Sequence, residues 1–172
     1  TAINKHGLTV WGIQDGYLGL IENRIDRLTY EQTSNILTVG GTILGSSNTS
    51  DPFRFPVRAG TRTQNKDVSD QCLDALKERG IEALVCIGGD GTMASAAKFA
   101  RKGLPVIGVP KTIDNDLVGT DVTFGFDTAV TTAAEAIDKV HTTASSHHRV
   151  MIVEVMGRYA GWIALECGIA GS

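Results

Sequence analysis

The chain of 172 residues has only three cysteines, little net charge and no long apolar run. Cys72, Cys86 and Cys167 are odd in number and widely spaced, which argues against a disulfide framework or a zinc site. A formal net charge of −3 indicates neither a nucleic acid nor an anionic membrane as partner. No apolar run approaches the ~18 residues that a membrane span needs. We therefore expect a cytoplasmic globular protein whose cysteines are buried as small hydrophobic side chains.

Two apolar runs of strand length lie between residues 81 and 116, and each ends in a polar loop. The first run ends at Ile87 and is followed by Gly-Gly-Asp-Gly-Thr over residues 88–92. The second ends at Val109 and is followed by Pro-Lys-Thr-Ile-Asp-Asn-Asp over residues 110–116. Ligands of open α/β sheets bind at the carboxyl ends of the strands, so both loops are predicted to face one cleft.

The two loops contain the groups that a phosphoryl-transfer site needs. Glycine N–H groups at a helix start can face phosphate oxygens, and Asp90 is a hard oxygen ligand suited to Mg²⁺. A purely structural turn would explain the first loop equally well. An Asx-turn in the second loop would use only one carboxylate. Whether that carboxylate is Asp114 or Asp116, the second one would have no folding role, and neither would Lys111 or Thr112.

Both loops resemble those of the 6-phosphofructokinase family. Further segments match the family in the same order along the chain: Asp-Gly-Tyr-Leu-Gly-Leu (15–20), Gly-Gly-Thr-Ile-Leu-Gly-Ser (40–46), Gly-Phe-Asp-Thr-Ala (125–129) and Val-Glu-Val-Met-Gly-Arg (153–158). The details are most similar to the subgroup that mixes ATP users with pyrophosphate users, whose members carry a lysine at the place of Lys111.

The resemblance implies an α/β fold with a doubly wound, mostly parallel sheet and helices on both faces. The alternation of predicted strands and helices agrees with that fold. Members of the family begin with a further strand, phosphate loop and helix, and they continue well beyond residues 168–171. We therefore expect an internal piece of a larger enzyme. Residues 1–172 would be one partial domain, mainly the nucleotide-binding lobe, with the sugar-phosphate lobe starting near residue 141.

The implied activity is transfer of a phosphoryl group from Mg-ATP to the 1-hydroxyl of fructose 6-phosphate, giving fructose 1,6-bisphosphate in glycolysis. Asp114 is the candidate base that accepts the hydroxyl proton. The resemblance also implies roles for the other loop residues. Thr112 would donate its hydroxyl to a phosphate oxygen, Lys111 would offset charge, and Asp116 would orient the loop or a metal-bound water. Asp90 would hold Mg²⁺, and Gly89, Gly91 and Thr92 of the same loop would bind the donor.

The resemblance also implies contacts outside the two loops. Met156, Gly157 and Arg158 would bind the sugar phosphate, and Arg149 would reach it from a neighbouring subunit. That sharing implies a homo-oligomer of at least two subunits, with a tetramer expected. Tyr17 would lie near the nucleotide. A packing role for Tyr17 and an ordinary strand-start role for Arg149 are the alternatives.

One residue departs from the family pattern, and two others bear on the donor. Asn48 stands where many members place an arginine that touches the transferring group, and Arg54, Arg58 or Arg62 are alternative sources of charge. The absent side chain at Gly91 leaves room for an α-phosphate, which favours ATP. Lys111 is compatible with ATP and also with the alternative donor, pyrophosphate.

Two rival functions remain at this point. NAD kinases and lipid kinases also carry Gly-Gly-Asp-Gly-Thr, but they lack the second loop. A non-catalytic regulatory subunit that binds sugar phosphates is favoured only by Asn48, and the presence of Asp114 argues against it.

Periodicity and turn residues predict the remaining elements. The spacing of Val68, Cys72, Ala75 and Leu76 predicts a helix over 68–79 that Gly80 ends. Before residue 61 we predict a strand over 8–13, a helix over 30–36 and irregular chain over 46–60. The helix after the first loop is predicted to bury Met93, Ala96, Ala97 and Ala100 and to end at Gly103. Beyond the second loop we predict a hairpin-like excursion over 119–127, a helix over 128–144 capped by Asp127 with Val130, Ala134, Ile137 and Val140 inward, a strand over 150–155 and a helix over 159–169.

Overall fold

The computed structural model describes residues 1–60 and 62–171, in which helices alternate with short strands. The elements in chain order are α1 (Ala2–His6), β1 (Trp11–Ile13), α2 (Tyr17–Ile21), β2 (Ile25–Arg27), α3 (Tyr30–Thr33), β3 (Phe55–Ala59), β4 (Arg62–Lys66), α4 (Ser69–Glu78), β5 (Leu84–Gly88), α5 (Asp90–Arg101), β6 (Val106–Pro110), α6 (Phe126–His147) and α7 (Trp162–Ala170). No helix in the described ranges is long and apolar enough to cross a membrane.

Within residues 1–60 and 62–171, the strands pair in three two-stranded sheets. β1 and β2 are antiparallel, with Gly12 opposite Asp26. β5 and β6 are parallel, because hydrogen bonds join both their beginnings and their ends. The N–H of Leu84 donates to the Pro105 carbonyl at 2.9 Å, and that of Lys111 donates to the Gly88 carbonyl at 3.0 Å. The carboxyl ends of β5 and β6 are therefore side by side, as the sequence predicts.

The chain divides into two compact units. The first comprises Thr1–Leu84 and Ala97–Val106, and its core includes Leu20, Cys72, Leu76 and Phe99. The predicted inward face of α4 is confirmed, since Cys72, Ala75 and Leu76 are buried and Val68 packs against the core. Gly80 follows the last turn of α4 with φ +64°, the left-handed conformation in which glycine ends a helix.

The described part of the second unit covers residues 85–96 and 107–171. Its core is formed where α6 packs on α7, around Ala133, Ile163 and Cys167. Val130, Ala134 and Ile137 pack against this cluster, as the periodicity predicts. All three cysteines of the chain are buried, which agrees with their interpretation as small hydrophobic side chains.

The predicted inward face of α5 is partly wrong. Ala96 is buried, but Ala97 and Ala100 are exposed. The buried residues on this helix are Ser95, Ala96 and Phe99. Phe99 is fully buried, and its large ring sets which side of the helix turns inward. Ala97 and Ala100 then point away from it, and alanine side chains tolerate that exposure.

Two predictions around α6 are also wrong in detail. The helix begins at Phe126 with Gly125 as its N-cap residue, so Asp127 lies in the first turn and does not cap it. There its carboxylate still interacts favourably with the helix dipole. Residues 119–127 form no hairpin, because Phe124 makes an isolated parallel bridge with Lys111. The segment thus runs beside the end of β6.

The strand predicted over residues 150–155 and the irregular chain predicted over 46–60 need correction. Residues 150–155 are not paired with any strand in the described ranges, and Val150 and Ile152 are each 93% exposed. β-branched residues favour a strand only where a neighbour supplies hydrogen bonds and packing. Part of 46–60 instead forms β3, which pairs antiparallel with β4. Pro56 is tolerated because a strand in a two-stranded sheet is an edge strand.

Candidate active site

The candidate site lies where β5 and β6 end, within the second unit. The Lys111 N–H donates to the Gly88 carbonyl at 3.0 Å, which fixes the start of the second loop against the end of β5. A Cβ built on Gly89 would lie 3.5 Å from the Thr112 Cβ, so the two loops are in contact at this point. The structure therefore brings together the glycine loop and the Thr112 loop, as the sequence predicts for neighbouring parallel strands.

The first loop leads directly into α5, whose first residue is Asp90. Asp90 is exposed, and a Cβ built on Gly91 would meet no atom within 4 Å. The Thr92 side chain folds back over Gly88, where an added Cβ would lie 2.7 Å from the Thr92 Cβ. Asp90 and Gly91 thus leave open space at the N-terminus of a twelve-residue helix, and the positive end of a helix dipole favours anions.

The described residues contain no cluster of three or more histidine, cysteine, aspartate or glutamate side chains that could hold a metal ion. Mg²⁺ commonly binds one or two carboxylates together with phosphate oxygens and water. Asp90 provides one such carboxylate, and no ion pair in the described ranges occupies it.

The second loop contains a tight turn between Thr112 and Asp114. The Thr112 Oγ1 accepts a hydrogen bond from the Asp114 N–H at 3.2 Å. The same hydroxyl lies 3.4 Å from Asp114 Oδ2, a long donor–acceptor distance that indicates at most a weak bond. Thr112 is buried, Asp114 is half-buried and Lys111 is exposed. The carboxylate of Asp114 thus sits at the boundary between the protein interior and the open side of the loop.

Two residues that hold this loop were not predicted as site residues. The Thr123 hydroxyl donates to the Thr112 carbonyl at 2.7 Å, and the Thr123 N–H donates to Asn115 Oδ1 at 2.9 Å. Asn115 has φ +51°, a left-handed conformation that asparagine tolerates. That tolerance, and the tendency of asparagine to bond nearby backbone, are the only sequence signals for Asn115. Thr123 carries no such signal, because its partners lie eight and eleven residues away.

The third loop, residues 156–158, meets the second loop through one ion pair. The Arg158 Nη1 lies 3.8 Å from Asp116 Oδ2, and the two side chains are 57% and 23% exposed. Gly157 is buried with φ +140°, while Met156 is 75% exposed. A groove of about 520 Å³ adjoins this loop and is lined in part by Ile113, Val155 and Met156.

The remaining predicted residues belong to other segments of the chain than these three loops. Tyr17 belongs to the first unit, is half-buried, and has its ring centroid 6.0 Å from that of Phe99. Arg149 is exposed just after α6, and its backbone N–H donates to the Ala144 carbonyl at 2.9 Å. Asn48 and its three alternative arginines, Arg54, Arg58 and Arg62, are exposed residues of the first unit.

Comparison with known proteins connects this arrangement to one family. The family model described as Phosphofructokinase matches residues 1–172. The chain is 58% identical to "ATP-dependent 6-phosphofructokinase 2" of Clostridium perfringens, over 100% of this chain and 47% of the relative. The chain spans about half the length of the curated relatives it matches.

Two solved structures are similar to this chain along almost its whole length. The phosphofructokinase of Pichia pastoris in the T-state has a TM-score of 0.82 and 30% identity, covering 96% of this chain and 18% of that one. The pyrophosphate-dependent phosphofructokinase of Marinobacter aquaeolei has a TM-score of 0.76 and 25% identity, covering 95% and 41%. The predicted α/β fold is thereby confirmed, and the chain belongs to the phosphofructokinase family.

Proposed function

We propose that the protein carrying this chain is an ATP-dependent 6-phosphofructokinase, which transfers a phosphoryl group to the 1-hydroxyl of fructose 6-phosphate. The observation that carries the proposal is the Thr112–Asp114 turn lying against the Gly89 loop, where a Cβ built on Gly89 would be 3.5 Å from the Thr112 Cβ. A candidate base is thereby next to a candidate phosphate loop. The name of the Clostridium relative supports the same activity and the same donor.

Asp114 acts as the base in this proposal. Its half-buried carboxylate is held by the turn yet open on one side, so it can accept the proton of a sugar hydroxyl. A positioned base contributes roughly 10²–10⁴-fold to the rate. Thr112 complements it, because the 3.4 Å separation of its hydroxyl from Asp114 Oδ2 leaves the hydroxyl proton available for a phosphate oxygen.

The donor phosphates bind at the start of α5 in this proposal. Backbone N–H groups after Gly89 and the side chain of Lys111 offset their negative charge, and the carboxylate of Asp90 would hold Mg²⁺, directly or through water. When bound, Mg²⁺ supplies positive charge that offsets the charge on the phosphates. Phosphoryl transfer depends mainly on such positioning and charge stabilisation. In keeping with the family resemblance, Tyr17 is expected to lie near the nucleotide.

The sugar phosphate binds at the third loop. Met156 lines that side of the groove, and Gly157 is the buried residue next to it. The Arg158 guanidinium forms an ion pair with Asp116 at the long distance of 3.8 Å. An exposed pair of that length is weak, so a phosphate dianion can compete for Arg158. Asp116 then orients the loop.

The wider assembly belongs to the same proposal. Arg149, exposed at the end of α6, reaches the sugar phosphate of a neighbouring subunit in a cytoplasmic homo-oligomer. The oligomer is a dimer at least and a tetramer by expectation. Residues up to about 140 belong mainly to the nucleotide-binding lobe, and the sugar-phosphate lobe begins near residue 141.

Pyrophosphate is the second candidate donor. Lys111 favours it, because a lysine can offset charge on a small donor, and the Marinobacter neighbour is named pyrophosphate-dependent. Gly91 favours ATP, since nothing lies within 4 Å of a Cβ added there and an α-phosphate can approach the backbone. We give Gly91 more weight, because lysine is compatible with both donors.

Replacing Asp114 by asparagine tests the proposal. In the full-length protein, Asp114→Asn should lower kcat by roughly 10²–10⁴-fold, because the amide cannot accept the proton, while fructose 6-phosphate still binds. Asp121→Asn is the matched control, since it neutralises an exposed carboxylate seven residues away that has no proposed role. An Asp114→Asn variant that keeps more than a tenth of wild-type kcat, with chemistry rate-limiting, would remove Asp114 from the role of base.

A further inference from the structure

Thr123 has no role in the proposed binding of substrate, donor or metal. It is 2% exposed, one of the few buried polar residues in the described ranges. Its hydroxyl donates to the Thr112 carbonyl at 2.7 Å, and its N–H donates to Asn115 Oδ1 at 2.9 Å. These two acceptors lie on either side of Asp114 in the sequence. A single buried residue therefore holds the loop both before and after the candidate base.

The backbone around Thr123 is itself anchored beside β6. The Phe124 N–H donates to the Pro110 carbonyl at 2.9 Å, and Phe124 forms a parallel bridge with Lys111. A Cβ built on Gly125 would lie 3.5 Å from Ile113 Cγ2, so the next residue also packs on the loop. Thr123 consequently reaches the loop from a segment that is registered against β6.

Asn115 forms the second half of the anchor. Because a backbone N–H can only donate, the atom that faces it must be the carbonyl oxygen of the Asn115 side chain. The left-handed backbone of Asn115, at φ +51°, turns that side chain toward Thr123. Asn115 thus has a structural use that is separate from the carboxylates on both sides of it.

From this geometry we infer that Thr123 and Asn115 are positioning residues, which fix the Asp114 carboxylate for proton transfer without touching substrate. The inference rests on the proposed function for its effect on the rate. An unsatisfied carbonyl at Thr112 would be costly in a buried position, so loss of the Thr123 hydroxyl should displace the loop. A displacement of about 1 Å at a reacting group can cost roughly 10²-fold in rate.

Thr123→Val in the full-length protein is the direct test, because valine keeps the shape of threonine and removes only the donor. We expect kcat to fall by roughly 10–100-fold, with the KM values for ATP and fructose 6-phosphate changed by less than about threefold. Thr123→Ser retains a hydroxyl and should restore most of the kcat. Thr120→Val is the matched control, since the Thr120 hydroxyl donates to the Val122 carbonyl at 3.0 Å, a bond within its own segment that does not involve the loop.

Hydrogen exchange measured by mass spectrometry gives a readout that does not require turnover. Peptides covering residues 111–116 should exchange about tenfold faster in Thr123→Val than in the wild type or in Thr120→Val. Unchanged exchange in these peptides, or faster exchange with kcat unchanged, would overturn the inference.

If Thr123→Val does not fold, Asn115→Gly removes the other bond while tolerating φ +51°, and the same shifts in exchange and kcat are expected. A wild type that does not turn over with ATP would contradict the proposed function alone, while the exchange comparison still decides whether Thr123 anchors the loop.

Discussion

Replacing Gly91 by aspartate adds a carboxylate to the loop that is proposed to bind the donor. The structure accommodates the new side chain, since a Cβ at this position meets no atom within 4 Å and Gly91 does not have a positive φ. As the second residue of α5, the aspartate would also interact favourably with the helix dipole by ~0.3–1 kcal/mol. Repulsion from the adjacent Asp90 opposes that gain. We therefore expect the stability of the variant to stay within about 1 kcal/mol of the wild type.

The expected loss of ATP-dependent activity follows from charge repulsion. Two like charges ~4 Å apart repel by about 4 kcal/mol at an effective dielectric constant of ~20. Because each ~1.36 kcal/mol is a factor of ten in rate, full repulsion of the α-phosphate would cost roughly 10³-fold. Gly91 is exposed, so solvent weakens the repulsion. We expect kcat/KM for ATP to fall by roughly 10²–10³-fold.

The assay compares Gly91→Asp with Gly91→Ala and the wild type, using fructose 6-phosphate with either ATP or pyrophosphate. Gly91→Ala is the matched control, since it adds the Cβ without the charge and should keep most ATP-dependent turnover. Some pyrophosphate-dependent activity of Gly91→Asp is expected, because Lys111 is available to offset the charge of the smaller donor. A folded Gly91→Asp variant with wild-type kcat/KM for ATP would refute the argument from Gly91.

Two further predictions concern the first unit. The Ser69 hydroxyl and N–H both donate to Asp67 Oδ1, at 2.6 Å and 2.9 Å, and they lower the pKa of that carboxyl. The resulting stability is present above the unfolded-state pKa and is lost as the pH falls through the lower folded-state pKa. Because Asp67 is exposed, solvent screens these bonds, and Asp67→Ala should cost no more than about 1 kcal/mol at pH 7. Denaturant titrations should show that cost shrinking below about pH 4; an equal cost at pH 7 and pH 2 would contradict this. Burial raises the pKa of the Cys72 thiol to about 11, so peptide mapping should find Cys72 unlabelled by thiol reagents at pH 8 until the protein unfolds. Fast stoichiometric labelling of native Cys72 would be inconsistent with its burial.

Local patterns in the sequence predict much of the fold correctly. The apolar spacing from Val68 to Leu76 marks the inward face of α4, because a helix repeats every 3.6 residues. The glycines after α4 and α5, Gly80 and Gly103, mark the ends of those helices and have φ +64° and +92°. The parallel arrangement of β5 and β6 follows from the helix between them. The site loops meet at one edge for the same reason.

Pairing between separate segments of the chain accounts for most of what sequence reasoning missed. The β3–β4 hairpin includes Pro56, which reads locally as a strand breaker and is acceptable only because the strand lies at an edge. Residues 150–155 show the reverse case: their β-branched side chains predict a strand, but the segment has no pairing partner in the described ranges and forms none. The role of Thr123 depends on an acceptor eleven residues away, which no periodicity reveals.

The central claim is transfer of a phosphoryl group from ATP to fructose 6-phosphate at the Asp114 loop. The most direct measurement supplies the full-length protein with fructose 6-phosphate and Mg²⁺, then follows fructose 1,6-bisphosphate with ATP or with pyrophosphate as the donor. We predict sustained turnover with ATP that Asp114→Asn lowers by roughly 10²-fold or more. Turnover with pyrophosphate and not with ATP, or with neither donor, would contradict the account.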